Sequence, residues 1–280
     1  MSKLAEVRYE DYLRMGKLPT LWCSGCGDGT IMKSMIRALD SIPDLDRDKT
    51  SIVAGIGCSG RMSSYMDFNT VHTTHGRALA FATGMKMAAP DSKIVVVTGD
   101  GDCMAIGGNH FLHAARRNID LTVVIVNNFT YGLTGGQVSP ETPMGSHTPT
   151  SQMGSIEPNF DTAEVARAAG ASYVARAAVA APVQMDKMIK VGIEPNGFSV
   201  IEVLSNCHIN WGRKNEHPDA YELVQWMKNE TATFSKNEAE TTGKKLLGVL
   251  HHDKERPEYA TTYYANIVKP AMEKAAAKAG

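Results

Sequence analysis

Short runs of apolar, mostly β-branched residues recur along the chain and predict buried strands. Four such runs are SIVAGIG (51–57), KIVVVT (93–98), LTVVIVN (121–127) and FSVIEVL (198–204). Runs that are apolar at nearly every position are typical of strands buried on both faces, as in a parallel sheet covered by helices. Apolar residues at helical spacing predict helices over 30–39, 76–89, 108–118, 161–170 and 182–192. The pattern therefore predicts an α/β fold with a doubly wound, mainly parallel sheet.

The domain organisation follows from what separates these runs. The chain contains no internal repeat and no linker rich in glycine, serine or proline. A long polar loop is expected over 138–160, and the polar segment after residue 229 ends in a helical pattern of alanine and lysine. We therefore expect one domain over 21–228, preceded by an N-terminal arm (1–20) and followed by a C-terminal extension (229–280).

Composition and charge exclude several classes of function. The 280 residues carry a formal net charge of −1, which gives no electrostatic reason to expect binding to nucleic acid or to an anionic membrane. The apolar runs are far too short to cross a bilayer, and the start of the chain lacks the apolar stretch of a signal peptide. A cytoplasmic protein is expected, so the five cysteines should be reduced thiols or metal ligands rather than disulfides.

Three glycine-rich stretches are candidates for ligand binding. GIGCSG (55–60) fits the dinucleotide pattern G-x-G-x-x-G, but no amphipathic helix and no suitably placed acidic residue follow it. The Gly-Asp-Gly at 27–29 follows no strand, and Asp28 is expected to cap the next helix. The third stretch follows the run at 93–98, where loops beyond strand ends in such sheets bind ligands.

This third stretch pairs two motifs. Gly99-Asp100-Gly101 ends one predicted strand, and Asn127-Asn128 ends the next after 25 intervening residues. The pair resembles the signature of thiamine diphosphate enzymes, in which a hard divalent cation with oxygen ligands holds the diphosphate. The resemblance implies that Mg²⁺ is bound by Asp100, the side chain of Asn128 and the backbone carbonyl of Thr130. The alternative is an ordinary strand–turn–helix that uses glycines in its turn.

Four of the cysteines are expected to converge. Cys58 and Cys207 follow two of the predicted strands, and Cys23 and Cys26 stand at the entry to the first helix. Four thiolates suit either zinc or an iron–sulfur cluster, and scattered core cysteines are the third possibility. Cys103 is expected to be a small residue packed in the cofactor loop.

Several segments together carry a resemblance to one family. Between about residues 18 and 260, the chain resembles the β subunit of 2-oxoacid:ferredoxin oxidoreductases, with the family's motifs in order. These motifs are WCSGCGDG, GIGCSGR, HTTHGRA, GDGDCMAIGGNHFLHAARRN, NNFTYGLTGGQ and SNCHIN. The resemblance implies a fold of the thiamine diphosphate-binding (pyrophosphate-domain) type, which carries thiamine diphosphate, Mg²⁺ and one 4Fe–4S cluster. The cluster ligands would be Cys23, Cys26, Cys58 and Cys207.

The same resemblance assigns further residues to the cofactor. His75 corresponds to a family position beside the cofactor and is expected to be catalytic, although a capping or core histidine is the alternative. The residues expected to contact the cofactor are Ile56, Gly57, Cys58, Ser59, Gly101, Asp102, Gly132 and Leu133. Glycines at such positions let backbone N–H groups approach a ligand closely.

The activity implied is the oxidative decarboxylation of 2-oxoglutarate to succinyl-CoA, with coenzyme A as co-substrate and with electrons passing through the cluster to ferredoxin. Because this chain has one domain of the required type, a larger α subunit is expected to supply the activating glutamate, in a dimer of αβ heterodimers. Many members of the 2-oxoglutarate branch have lysine where this chain has Gly135, so pyruvate or another 2-oxo acid remains an alternative. Two further alternatives are a non-redox thiamine-dependent decarboxylase or synthase with a structural zinc, and a catalytically inactive regulatory or scaffold subunit.

Overall fold

The central element of the fold is one twisted sheet. The computed structural model describes residues 7–194, 197–234 and 243–279, and eight strands are found within these ranges. They are β1 (Thr50–Ala54), β2 (Asn69–His72), β3 (Lys93–Gly99), β4 (Leu121–Asn127), β5 (Tyr173–Ala178), β6 (Phe198–Leu204), β7 (Thr231–Thr233) and β8 (Lys245–His252). Their order in the sheet is β2-β1-β3-β4-β6-β5-β8-β7. The first six strands in this order, β2 through β1, β3, β4 and β6 to β5, are parallel to their neighbours. Strand β8 runs antiparallel to β5.

Helices cover both faces of this sheet. Those described are α1 (Gly27–Asp40), α2 (Met62–Tyr65), α3 (Ala78–Ala88), α4 (Gly108–Arg117), α5 (Thr162–Ala169), α6 (Pro182–Ile193), α7 (Ala220–Asn229), α8 (Tyr259–Tyr263) and α9 (Lys269–Ala279). Two π-helical segments span Gly101–Ile106 and Tyr264–Val268. Short 3-10 turns lie at Tyr9–Tyr12, Met15–Lys17, Arg47–Lys49, Ser59–Arg61 and Gly212–Lys214.

The alternation of side chains along the strands produces two cores. Val95 and Val97 of β3 contribute to a cluster with α1 and α6, whereas Val96 contributes to a cluster with α3, α4 and α5 on the other face. In this second cluster, the ring of Phe111 on α4 meets that of Phe198 on β6 edge to face, with centroids 5.8 Å apart. Both faces are therefore buried, and the prediction of a doubly wound, mainly parallel α/β fold is confirmed.

The four strands predicted from apolar runs correspond to β1, β3, β4 and β6, and the five predicted helices correspond to α1, α3, α4, α5 and α6. Pattern reasoning did not find β2, β5, β7, β8 or α7. The edge strands β2 and β7 are short and only half-buried, so they lack an apolar run. In β5 the run is interrupted by Arg176, which is nevertheless buried because two carboxylates pair with it.

The C-terminal extension takes part in this sheet. Strand β8 pairs with β5, so that Tyr173 lies opposite His252 and Arg176 lies opposite Gly248, with a register shift between Val174 and Ala175. The alanine- and lysine-rich end forms α9, as expected. No helix in the described ranges is long and apolar enough to cross a membrane. The boundary near residue 228 stays a prediction.

The start of α1 differs from the expectation. Cys26 is the N-cap residue, and Asp28 lies inside the first turn of the helix, buried and without a capping hydrogen bond. The prediction that Asp28 caps this helix was therefore wrong. Its carboxylate faces the cysteines instead, as described below.

Candidate active site

The carboxyl ends of β1, β3 and β4 form the floor of one cavity. The loops that follow these strands contribute residues 56–59, 99–102 and 128–134, and His75 closes one side. Every residue predicted for thiamine diphosphate or Mg²⁺ lines this cavity. Sequence reasoning missed Tyr131 and Thr134, which line it too. The structure thus brings the predicted residues together because parallel strands end at a common edge.

Three oxygen donors predicted for Mg²⁺ meet at this edge. Asp100 follows β3 and is almost completely buried, and burial raises the pKa of its carboxyl to about 7. Asn128 follows β4, and its Oδ1 accepts a 3.3 Å hydrogen bond from the backbone N–H of Thr130, so a tight turn holds this pair. A carboxylate, an amide oxygen and a carbonyl are hard ligands, and a bound cation would stabilise the ionised form of a carboxyl buried in this way. The donor set therefore fits Mg²⁺.

The polar loop 138–160 contributes a residue that the sequence did not identify. The hydroxyl of Ser139 donates a short hydrogen bond to Oδ2 of Asp100. The neighbouring Thr142 donates to the carbonyl of Phe129 at 2.6 Å and accepts from the N–H of Ser139 at 2.8 Å. Phe129 itself has a φ of 67°, which allows the chain to turn sharply between Asn128 and Thr130. The loop thereby orients the Asp100 carboxylate.

Two glycines in the cavity allow close packing that a side chain would prevent. A Cβ on Gly101 would lie 2.4 Å from the ring of Tyr131, whose hydroxyl donates to the Gly101 carbonyl at 3.1 Å. A Cβ on Gly55 would lie 1.7 Å from Oδ2 of Asp102. Gly55 of GIGCSG and Gly101 of Gly-Asp-Gly are therefore required by close contacts around the site.

His75 and Asp102 form a pair inside the cavity. The Nδ1 of His75 lies 2.5 Å from Oδ1 of Asp102, and the same oxygen accepts a 2.7 Å hydrogen bond from the N–H of Gly76. Oδ2 of Asp102 accepts from the hydroxyl of Thr98 at 2.6 Å. Asp102 lines the cavity where it was predicted, and its carboxylate is directed to the histidine segment. Nδ1 of His75 is buried and makes no hydrogen bond, so its relation to Asp102 is close contact alone.

A buried polar network lies beneath the Asn-Asn pair. The side-chain amide of Asn127 donates to Glu202 at 2.8 Å and to Glu141 at 3.1 Å, and both glutamates are completely buried. Arg176 donates to Glu202 at 2.7 Å, and the ammonium group of Lys245 lies 3.4 Å from Glu141. Burial and the nearby charge of Glu202 raise the pKa of Glu141 to about 7, and Lys245 opposes this shift. The network joins β4, β5, β6, β8 and the polar loop at one point.

The segments that carry the four cysteines predicted as cluster ligands meet, since the indole N–H of Trp22 donates to the carbonyl of Cys58 and the side-chain amide of Asn206 donates to the carbonyl of Gly25. The Sγ atoms of Cys58 and Cys207 both lie 3.5 Å from the point where a Cβ on Gly132 would stand. Burial raises the pKa of the Cys58 thiol to about 12, and the charges of Cys207 and Cys23 add to this effect. Cys26 lies close enough for Cys58 to raise its pKa as well, although burial is the main cause. Thiols with raised pKa values bind metal only by losing their protons.

Two further residues, Cys103 and Asp28, complete the description of the cysteines and their surroundings. Cys103 is buried in the core cluster beside α3 and α4, in agreement with its predicted role as a packed residue. Asp28 is buried beside the cysteines, with Oδ2 3.5 Å from Sγ of Cys26 and with Oδ1 lacking a hydrogen-bond partner. Burial raises the pKa of Asp28 to about 6. Four thiols on adjoining segments suit a metal cluster chemically, and among the described residues no three His, Cys, Asp or Glu side chains are grouped so that they could hold a single metal ion.

Comparisons with known proteins identify the family of this chain. Residues 55–203, more than half of the chain, match the family model of the thiamine pyrophosphate enzyme, C-terminal TPP binding domain. The chain is 45% identical over 266 residues to the 2-oxoglutarate synthase subunit KorB of Methanocaldococcus jannaschii, covering 94% of this chain and 98% of that protein. It is 56% identical over 202 residues to the KorB subunit of Archaeoglobus fulgidus, covering 72% of this chain and 75% of that protein.

A solved structure is similar over nearly the whole length. It is the 2-oxoglutarate:ferredoxin oxidoreductase from Magnetococcus marinus with 2-oxoglutarate, coenzyme A and succinyl-CoA bound. The TM-score is 0.84 at 30% sequence identity, and the match covers 96% of this chain and 93% of that one. The cavity at the carboxyl ends of β1, β3 and β4, called the cofactor cavity from here on, the matched domain and these relatives lead to one conclusion. The chain belongs to the thiamine diphosphate-binding β subunits of the 2-oxoacid:ferredoxin oxidoreductases, in the group of the 2-oxoglutarate synthases.

Proposed function

We propose that this β subunit catalyses the CoA-dependent oxidative decarboxylation of 2-oxoglutarate and passes the electrons through a 4Fe–4S cluster to ferredoxin. In this reaction 2-oxoglutarate loses carbon dioxide, its acyl carbon forms a thioester with coenzyme A, and the released electron pair leaves one electron at a time. The observation that carries the proposal is the position of Cys58, which lines the cofactor cavity and also lies beside Cys207. A redox group held there would adjoin the reacting centre.

The residues of the cavity fit the cofactors in the following way. Asp100, Asn128 and the carbonyl of Thr130 would hold Mg²⁺, and Gly57 and Gly101 would let the backbone approach the diphosphate. Cys23, Cys26, Cys58 and Cys207 would hold the cluster. When bound, thiamine diphosphate supplies an electron sink for decarboxylation, and the cluster supplies a one-electron carrier.

His75 is the residue proposed to move protons. We assign the proton-moving role to Nε2 because Nδ1 is buried against Oδ1 of Asp102, although the two atoms do not have the geometry of a hydrogen bond. The side chain is 32% exposed, so it is accessible from the cavity that it lines. His75 would then accept or donate a proton at Nε2, and Asp102 would act as the residue that positions it.

A partner subunit is needed to complete the site. The cavity encloses about 50 Å³, whereas sites for small molecules usually enclose about 300–1,000 Å³. Ile56, Ile106 and Leu133 at or near its rim are exposed apolar residues. We infer that an α subunit covers this rim and supplies the activating glutamate, in a dimer of αβ heterodimers.

The test is a reaction measured on the anaerobically purified complex with its α subunit. We expect reduction of ferredoxin that depends on both 2-oxoglutarate and coenzyme A, together with iron and acid-labile sulfide in the β subunit. A complex that contains zinc without iron and decarboxylates without reducing ferredoxin would identify a non-redox thiamine enzyme. Faster turnover of pyruvate than of 2-oxoglutarate would correct the substrate. An assembled complex with no turnover of any 2-oxo acid would indicate a regulatory or scaffold subunit.

A further inference from the structure

We propose that a basic groove beside Cys23 docks the acidic, one-electron carrier protein that receives electrons from this enzyme. This arm groove is formed by the segment 14–21 and the turn at Arg61 through Tyr65, and the inference rests on the proposed function. The inference goes beyond the proposed function by identifying the surface through which electrons leave the enzyme. The groove lies outside the cofactor cavity and shares none of its lining residues.

The first argument is the charge of the groove. It has a volume of about 500 Å³, and its charged lining residues are Arg14, Lys17 and Arg61, with no carboxylate among the described residues that line it. Lys17 is exposed and makes no side-chain ion pair within the described part of the chain. Leu21 at the same groove is 75% exposed. One exposed and two half-buried cations around an exposed apolar residue favour an acidic protein partner with a small apolar contact.

The three cations differ in how far they are already neutralised. Arg14 is held by hydrogen bonds to the carbonyls of Ser63 and Phe68 and lies 3.6 Å from Asp67. Its charge is therefore partly balanced by the protein itself. Lys17 and Arg61 are left to carry most of the interaction with a partner.

The second argument is the position of the groove relative to the cysteines. Cys23 is the exposed member of the four cysteines, and Leu21 and Trp22 connect it directly to the groove. Tyr65 fixes this connection, because its hydroxyl accepts a 2.9 Å hydrogen bond from the N–H of Leu21 and its ring meets that of Trp22 edge to face at 4.9 Å. The indole N–H of Trp22 also donates to the carbonyl of Cys58 at 2.8 Å.

These contacts define a direction for electron flow. Cys58 lines the cofactor cavity, and Cys23 is exposed at the surface and does not line that cavity. Electrons would therefore enter on the Cys58 side and leave on the Cys23 side. A carrier in the arm groove would contact the chain next to the exit. Contacts between electron-transfer proteins are small and transient, and opposite charges speed their encounter.

The experiment uses the complete complex with its α subunit and compares two electron acceptors. The variant is Lys17→Glu, because Lys17 is exposed and donates no side-chain hydrogen bond within the described ranges. The matched control is Lys254→Glu, the same charge reversal at an exposed position near the end of β8, at the opposite edge of the sheet. Reduction of ferredoxin and of methyl viologen is measured at low and at high ionic strength.

We expect Lys17→Glu to raise the KM for ferredoxin by on the order of 3- to 10-fold at low salt, because a favourable charge contact becomes repulsive. The difference should shrink at high salt, which screens exposed charges. Methyl viologen reduction and iron content should equal those of the unmodified complex, and Lys254→Glu should change none of these quantities.

Three results would overturn the inference. These are an unchanged KM for ferredoxin in Lys17→Glu, an equal rise in Lys254→Glu, or failure of Lys17→Glu to assemble with the α subunit. The last would identify the arm groove as a subunit interface. Failure of the proposed function is distinguishable from all three, because the unmodified complex would then fail to reduce methyl viologen with 2-oxoglutarate.

Discussion

The side-chain amide of Asn127 donates a 2.8 Å hydrogen bond to Glu202, a completely buried carboxylate in the middle of the sheet. The adjacent Asn128 faces the cofactor cavity instead. The two residues of the Asn-Asn pair therefore have different surroundings, because Asn127 is the last residue of β4 and Asn128 lies in the loop that follows it. Asn127 anchors the end of β4, and Asn128 lines the cavity.

The first prediction concerns this anchor. Asn127→Ala should lower the free energy of unfolding by about 1–3 kcal/mol, because it leaves two buried carboxylates without a shared donor. Asn127→Asp should cost more, because it places a third carboxyl group beside Glu202 and Glu141. Denaturant unfolding of the cofactor-free chain measures both, with Asn159→Asp at an exposed position as the control. Equal stability of all three variants would contradict a structural role for the amide.

The second prediction concerns the pH dependence of stability. The pKa of Glu141 is raised from 4.5 to about 7 by burial and by Glu202, while Lys245 opposes the shift and Asp100 adds to it. Between pH 4.5 and 7 the folded protein holds a proton on Glu141 that the unfolded chain has lost. The contribution of Glu141 to stability is therefore fully present below pH 4.5 and is lost as the pH rises to 7.

The variant Glu141→Gln isolates the effect of Glu141, because glutamine at this position cannot titrate. The quantity to compare is the slope of the free energy of unfolding against pH. The free energy of unfolding of this variant should fall less steeply with pH across that window than that of the unmodified chain. Asp28, whose pKa is also raised, contributes equally to both proteins, whereas Asp100 interacts with Glu141, so the difference in slope measures Glu141 together with its interaction with Asp100. Identical slopes would show that Glu141 is already ionised at pH 5.

The third prediction concerns the cation. Asp100→Ala should abolish retention of thiamine diphosphate in the presence of Mg²⁺, because it removes the charged protein ligand. Ser139→Ala should weaken retention less, because the carboxylate remains and loses only the hydroxyl that orients it. Bound cofactor is measured after gel filtration, and circular dichroism checks the fold. Full retention in Asp100→Ala would refute the assignment of the site.

The fourth prediction concerns the cysteines. Serine at position 23, 26, 58 or 207 should reduce the iron content and the visible absorption, whereas Cys103→Ser should keep both. Cys103 is the control, because it is buried in the core on the other side of the sheet. Colour lost only in Cys103→Ser, or an unmodified protein that binds zinc alone, would show that the four-cysteine assignment is wrong.

The fifth prediction concerns assembly. The isolated chain should decarboxylate no 2-oxo acid, and addition of the α subunit should restore activity. The physical reason is the small enclosed volume of the cavity, whose rim is apolar and exposed in the single chain. Turnover by the isolated chain would show that it supplies the missing wall and the activating group itself.

The local sequence determined the central strands, the helices between them and the chemistry at the strand ends. Runs such as KIVVVT can be stable only where both faces are covered, so they indicate a parallel sheet without any knowledge of their neighbours. The order of the chain then places Asp100 and Asn128 at one edge, since parallel strands end on the same side. For this reason the edge of the sheet that bears the cavity could be predicted from the order of the strands, whereas the individual cofactor-contacting residues were implied by the resemblance to the family.

Only the tertiary structure decided the contacts that join distant segments. Ser139 lies in a polar loop whose sequence carries no signal, yet its hydroxyl meets Asp100 39 residues away. Arg176 and Glu202 interrupt apolar runs and look unfavourable for buried strands, and they are buried because each neutralises the other at 2.7 Å. Such pairings depend on which strands become neighbours, and the local pattern of one segment contains no record of its partner's charge.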